Sequence, residues 1–137
     1  MELTQEQLQE ILDKHKRWLN DEEGGECADL KDFNLTGANL AGANLTEANL
    51  TEAKLTGAKL TQAKLTDVDL TDADLTGAKL IGAKLTGADL TRANLIGANL
   101  TGANLRGSTL NWALVSLTPD NQIALFNAWK DELGASD

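Results

Sequence analysis

Leucine recurs at every fifth position from Leu30 to Leu110, and alanine stands two positions before each leucine except where Phe33, Val68 and Ser108 replace it. An α-helix does not fit this period, because leucines five residues apart would be rotated by about 140° and would spread over every face. A continuous strand does not fit either, because an odd period sends alternate leucines to opposite faces. The pattern therefore predicts short extended pieces separated by turns, wound into a solenoid with leucine and alanine inside.

The two residues after each leucine form the predicted corner of the solenoid. Glycine occupies the second corner position in nine of seventeen units, which favours the positive φ of a type II turn. The other eight second positions hold larger residues, among them Glu47, Glu52 and Asp72. Those eight units predict a different turn type.

An amphipathic helix is predicted before the repeat. Thr4 and Gln7 form the capping-box pattern at its start, and Leu8 and His15 belong to one apolar stripe along it. Two consecutive glycines end the segment and allow the chain to turn sharply.

A second helix is predicted after the repeat, with Thr118 as its N-cap and Pro119 in its first turn. Ile123, Phe126 and Leu133 predict its buried stripe, which Leu125 and Trp129 widen. We therefore expect three segments along the chain. They are an N-terminal capping helix with its glycine junction (1–26), a repeat solenoid (27–117) and a C-terminal capping helix (118–137).

The repeated unit resembles the A-[D/N]-L-x-x motif of the pentapeptide-repeat family, as in ANLTE at 43–47, ADLTR at 88–92 and ANLIG at 93–97. The resemblance extends from Ala28 to Trp112. It implies a right-handed quadrilateral β-helix, with one pentad on each side and four in each coil. The expected fold class is thus an all-β solenoid with α-helical caps at both ends.

Four pentads in each coil would stack residues that are twenty positions apart, and this sorts the charges. Residues 27–112 hold nine acids and eight bases, so most of the net charge of −9 lies in the two ends. Lys59 would stack on Lys79 and Lys64 on Lys84, on two walls. These four lysines are the candidate interaction surface, although a surface that is merely solvated would show the same pattern.

The composition offers little for catalysis or for metal binding. Cys27 is the single cysteine, so no internal disulfide can form, and His15 is the single histidine. We expect both to be structural and predict no catalytic residues, no metal site, no cofactor and no enzyme activity. The first residues lack the apolar run of a signal peptide, and no window is apolar enough to span a membrane, so a cytoplasmic location is expected.

These observations predict a non-enzymatic structural scaffold or protein-interaction module, with an unknown protein partner and without a small-molecule substrate, a nucleic acid or a membrane. The alternative comes from the resemblance, because some members of the family mimic duplex DNA and inhibit or protect type II topoisomerases. A mimic needs sustained negative charge, whereas here lysines occupy two walls.

Tryptophans mark the predicted ends of the solenoid. Trp18 and Trp112 lie beside the two helix junctions, where we expect them to pack. Trp129 and Phe126 are expected to cover the last coil or to pair with a second molecule. The protein is therefore predicted to be a monomer, or a dimer through its C-terminal helix.

Overall fold

Successive coils of the solenoid pair through parallel backbone bridges between residues twenty positions apart. The computed structural model describes residues 2–130. Asn94 pairs with Leu114, and the same register recurs along the chain, from Asp29 with Asn49 to Asp89 with Thr109. Four pentads therefore complete each coil, as the resemblance implied. The helices and strands are α1 (Gln5–Leu19), β1 (Asn94–Leu95), β2 (Leu114–Val115) and α2 (Pro119–Trp129).

Each pentad is held to the next coil by a recurring set of backbone hydrogen bonds. The Leu55 N–H donates to the Asp74 carbonyl at 2.7 Å, and the Asp74 N–H donates to the Ala53 carbonyl at 3.0 Å. The second corner residue adds a further bond to the next coil. Within the pentad, the Ala58 N–H donates to the Leu55 carbonyl at 3.0 Å and closes the turn. Backbone groups next to the core are thereby paired, which burial requires.

The leucine column fills the interior of the solenoid. Every leucine of the column from Leu30 to Leu105 is at most 3% exposed, and Leu110 is partly buried. The alanines two positions earlier are small enough for opposite sides to meet. Replacing one of these leucines with alanine would cost about 2–5 kcal/mol.

All the corners adopt one turn, so the prediction of a second turn type is wrong. The second corner residue has a positive φ in all seventeen units, including Glu52 (φ 61°) and Arg92 (φ 57°). A left-handed backbone costs an ordinary residue about 1–2 kcal/mol. It persists because the N–H of the second corner residue donates to the next coil, as Glu52 does to the Thr71 carbonyl at 2.9 Å. In the inner coils this bond favours the turn whatever the corner residue is. In the last unit the Ala113 N–H closes the turn on the Leu110 carbonyl at 3.0 Å, and Trp112 has the same positive φ of 62°.

α1 begins as predicted and contacts the first coil through His15. The Thr4 side chain accepts the Gln7 N–H, and the Gln7 side chain accepts the Thr4 N–H. Leu8 and His15 are buried. No helix among the described residues is long and apolar enough to cross a membrane.

α2 starts at the predicted N-cap, but among the described residues its buried face shares only Leu125 with the expected stripe. The Thr118 side chain accepts the Asn121 N–H at 3.2 Å. Ile123 and Phe126, which were expected to be buried, are 62% and 53% exposed, and Leu133 lies outside the described residues. Small side chains let the other face approach the last coil closely. The buried residues are Asn121, Ala124, Leu125 and Ala128.

Candidate interaction surfaces

The twenty-residue register sorts the outward side chains into four walls, numbered here in chain order. Walls 1 and 3 lie on opposite sides of the solenoid, as do walls 2 and 4. Wall 1 carries Asp29, Asn49, Asp69, Asp89 and Thr109; wall 2 carries Asn34, Lys54, Asp74, Asn94 and Leu114; wall 3 carries Asn39, Lys59, Lys79 and Asn99; wall 4 carries Asn44, Lys64, Lys84 and Asn104.

The four predicted site residues lie together on two adjacent walls. Lys59 pairs with Lys79 on wall 3, Lys64 pairs with Lys84 on wall 4, and all four are exposed. None of them forms an ion pair with another residue of the range 2–130. We call this set the lysine strip. Lys54 is separate, because it stands on wall 2 and pairs with Asp74.

Asparagine or aspartate at the outward position stabilises the corner that follows it. In all eleven units with such a residue, its Oδ1 accepts the N–H of the residue two positions later. Asn99, for example, accepts the Thr101 N–H at 3.0 Å. A lysine side chain has no acceptor atom. Each lysine of the strip therefore forgoes this corner hydrogen bond.

The acidic side chains gather on the other side of the solenoid. A hydrogen bond with Asp32 and its negative charge raise the pKa of Glu52. Arg92 lowers the pKa of Asp72, which its guanidinium contacts at 2.8 and 3.0 Å. Wall 1 and its two corners hold eight of the nine acids of residues 27–112, namely Asp29, Asp32, Glu47, Glu52, Asp67, Asp69, Asp72 and Asp89. The body is thus acidic on wall 1 and basic on walls 3 and 4.

His15 joins α1 to the first coil through both ring nitrogens. Its Nδ1 accepts the Ala28 N–H at 2.9 Å, so Nε2 carries the proton and donates to the Thr46 carbonyl at 2.9 Å. Burial lowers the pKa of His15, although the Thr46 carbonyl and Glu47 act in the opposite direction. The ring makes hydrogen bonds that the backbone of a preceding coil would otherwise make. This agrees with the structural role expected for His15.

Trp18 and Cys27 lie beside the junction between α1 and the first coil. Trp18 stacks on His15 with a ring separation of 5.5 Å and remains 37% exposed. Cys27 is half-buried, and burial together with Glu47 and Asp29 raises the pKa of its thiol. The thiol is therefore not activated. Within residues 2–130, no group of three side chains suited to binding a metal comes together.

Asn121 has the corresponding place at the other end, and the sequence reasoning missed it. Its Oδ1 accepts the Leu100 N–H at 2.8 Å, and its Nδ2 donates to the Ala98 and Ser116 carbonyls at 2.9 Å each. In an inner coil, one backbone residue of the next coil makes both of these bonds. Its carbonyl accepts the N–H at the leucine position, and its own N–H donates to the carbonyl at the alanine position. The side-chain amide thus replaces a backbone residue. The sequence signal for this role was that Asn121, a polar residue, lies on the same stripe of the helix as Ala124.

Large apolar side chains remain exposed near the C-terminal end. Trp112 is 85% exposed, so the expectation that it packs at the junction is wrong. Phe126 and Trp129 are 53% and 43% exposed, because the small face of α2 contacts the last coil instead. Leu117 and Ile123 are also exposed.

A groove of about 520 Å³ separates α1 from the upper edge of walls 3 and 4. Asp13 and Lys16 line it from α1, residues 39–44 line it from the first coil, and Lys64 lines it from below. The lysine strip therefore continues into a concave site.

Comparisons with known proteins agree with this architecture. The family model described as pentapeptide repeats (8 copies) matches residues 34–72 and 73–111, together more than half of the chain. No curated protein sequence matches the chain.

Several solved structures share the fold. A pentapeptide repeat protein from Nostoc PCC 7120 is 28% identical, with a TM-score of 0.70 over 85% of this chain and 92% of its own. Another, from the Arabidopsis thaliana thylakoid lumen, is 32% identical, with a TM-score of 0.63 over 75% and 77%. QnrB1, a plasmid-mediated fluoroquinolone resistance protein, is 17% identical, with a TM-score of 0.49 over 82% and 72%, which is too remote to bear on function. With its tandem pentads and twenty-residue coils, the chain is a right-handed β-helix and belongs to the pentapeptide repeat family.

Proposed function

We propose that this chain is a non-enzymatic scaffold that binds an acidic protein partner through the lysine strip. The observation that carries the proposal is the loss of the corner hydrogen bond at each lysine of the strip. Such a bond contributes about 0.5–1.5 kcal/mol. The strip thus gives up local stabilisation at four corners and gains four outward positive charges, which is the kind of exchange found at functional surfaces.

The arrangement of the strip suits one continuous partner surface. Successive coils lie about 4.8 Å apart, so stacked lysines such as Lys59 and Lys79 repel each other weakly. An acidic partner would relieve that repulsion. The acidic wall 1 on the far side gives the body a transverse charge separation that orients an approaching partner.

The non-enzymatic part of the proposal rests on the two side chains best suited to chemistry. Both ring nitrogens of His15 are engaged with backbone groups, and the raised thiol pKa of Cys27 keeps the thiol protonated. Neither is prepared to act as a base or a nucleophile.

We also propose that α1 and α2 are caps that stop the solenoid from stacking end to end. His15 and Asn121 support this, because each supplies side-chain hydrogen bonds where a further coil would supply backbone ones. Uncovered coil ends would be templates for association.

A second copy is the proposed occupant of the outer face of α2. Ile123 and Phe126 are exposed directly opposite the face that contacts the last coil. Residues 1–26 carry a net charge of −5 and residues 113–137 one of −3, so joining C-terminal ends brings together the less acidic of the two ends. Phe126→Glu should convert a dimer to a monomer in light scattering, whereas Asn127→Glu on the same helix should not. A wild-type monomer would contradict the dimer.

The acidic wall favours the second candidate function, mimicry of DNA toward a type II topoisomerase. Eight carboxylates lie on one side of the column. A supercoiling assay with gyrase tests it: inhibition or protection that disappears when Asp69 and Asp89 become Asn would support mimicry. No effect on the enzyme would remove this candidate.

The scaffold proposal is tested by capture of partners from a bacterial lysate, read by mass spectrometry. The variant replaces all four lysines of the strip with asparagine, which restores the corner bonds and removes the charge. Lys54→Asn is the matched control, because it makes the same change on wall 2. A partner captured by the wild type and the control but lost in the variant supports the strip. Equal capture by all three, or no capture at all, contradicts it.

A further inference from the structure

The upper edge of the first coil is only partly covered by the N-terminal segment. On wall 2, Glu2 forms a parallel bridge with Asn34, whose side chain donates to the Glu2 carboxylate at 3.2 Å. At the corner between walls 4 and 1, His15 binds the Thr46 carbonyl. Among the described residues, no backbone or side chain bonds to this edge on walls 3 and 4.

Asn39 and Asn44 expose backbone groups that are paired in the next coil. There, the Lys59 N–H donates to the Ala38 carbonyl at 2.9 Å, and the Lys59 carbonyl accepts the Leu40 N–H at 2.8 Å. The corresponding N–H and carbonyl groups of Asn39 and Asn44 have no partner within residues 2–130. Walls 3 and 4 of the first coil thus present a free strand edge.

The groove beside α1 gives this edge both space and charge. Its volume of about 520 Å³ is within the usual range of binding sites. Lys16 and Lys64 line it, and the one acid of its lining, Asp13, already accepts the Gln9 amide at 3.0 Å. The lining thus holds two lysines and one aspartate, and its net positive charge favours an acidic ligand.

We propose that walls 3 and 4 of the first coil bind an acidic peptide segment, which adds a short parallel strand to each wall and turns at the corner between them. The segment's carbonyls accept the Asn39 and Asn44 N–H groups, and its own N–H groups donate to their carbonyls, in the register that Glu2 already uses on wall 2. Its carboxylates lie near Lys16 and Lys64. This inference rests on the proposed function, because Lys64 belongs to both the strip and the groove.

The test uses the full chain, labelled with ¹⁵N, and an acetylated hexapeptide of alternating Glu and Val as the probe. The peptide should shift the backbone amides of residues 39–46 and slow hydrogen exchange at Asn39 and Asn44. Asn39→Pro with Asn44→Pro is compared with Asn39→Ala with Asn44→Ala. Both pairs lose the corner bonds, but only proline removes the N–H donors. We expect binding at least about tenfold weaker for the proline pair than for the alanine pair.

Several outcomes would overturn the added strand. They are equal affinities of the two pairs, no binding of the peptide, or shifts confined to Lys79 and Lys84. The exchange measurement on the unmodified chain decides the matter should the proline pair fold poorly. Failure here is distinct from failure of the scaffold proposal, which falls only when the strip variant captures the same partners as the wild type, or when nothing is captured.

Discussion

Asn121→Ala is expected to loosen the C-terminal end of the solenoid, because this one buried amide makes three hydrogen bonds to the chain. The substitution leaves the Leu100 N–H and the Ala98 carbonyl without their partners. Each unpaired buried group costs about 1–3 kcal/mol, and the better helix propensity of alanine returns about 0.5 kcal/mol. We therefore expect the free energy of unfolding to fall by about 1.5–5.5 kcal/mol.

Two measurements together test this expectation. Urea unfolding followed by circular dichroism gives the global change, and hydrogen exchange at the Leu100 amide gives the local one. Asn127→Ala is the control, since Asn127 is exposed on the same helix and its loss should cost less than about 0.5 kcal/mol. The Leu80 amide, bonded to the Asn99 carbonyl at 2.8 Å, is the internal reference. If Asn121→Ala changes stability no more than the control does, and Leu100 stays as protected as Leu80, the amide does not replace a coil.

Three further predictions follow from the junctions and corners. Because the folded pKa of His15 lies below its ordinary value of 6.5, its stabilising contribution is present above that pH and is lost as the pH falls toward the folded pKa. The melting temperature should therefore drop between about pH 7.5 and about pH 5.5, and less steeply in His15→Gln; parallel profiles would contradict this. Gln62→Gly should raise the free energy of unfolding by about 0.5–1 kcal/mol by removing a left-handed ordinary residue, and a lower urea midpoint would count against the corner argument. Lys59→Asn combined with Lys79→Asn should raise the free energy of unfolding by about 1–3 kcal/mol through two corner hydrogen bonds, which an unchanged urea midpoint would refute.

The repeat architecture could be predicted because it depends on short-range regularity. The spacing from Leu30 to Leu110 excludes a helix and a plain strand, and only a chain that turns every five residues buries all the leucines. The capping box of α1 is equally local, since the side chains of Thr4 and Gln7 each bond to the other residue's backbone N–H. The number of pentads in a coil came from the resemblance, because the period alone does not set it.

The wrong predictions concern features that distant parts of the chain decide. The turn at Glu52 follows from its hydrogen bond to the next coil, which outweighs the residue's own preference. The face that α2 buries depends on how closely the helix can approach the last coil, so small residues are buried in place of Phe126. His15 and Asn121 bond to backbone groups that are otherwise unpaired at the two coil ends. The sequence does not show which residues lie next to those groups.

Because each coil contains twenty residues, the effect of an insertion or deletion depends on whether its length is a multiple of twenty. Removing one pentad between Lys64 and Lys79 would keep the leucine column and the ladder, but Lys79 would move to wall 2 and Lys84 to wall 3. Removing a whole coil would shorten the column by about 4.8 Å and leave every wall as it was. Insertions and deletions of twenty residues therefore change only the length of the column. Those of five, ten or fifteen residues keep the leucine core but move the following side chains to other walls.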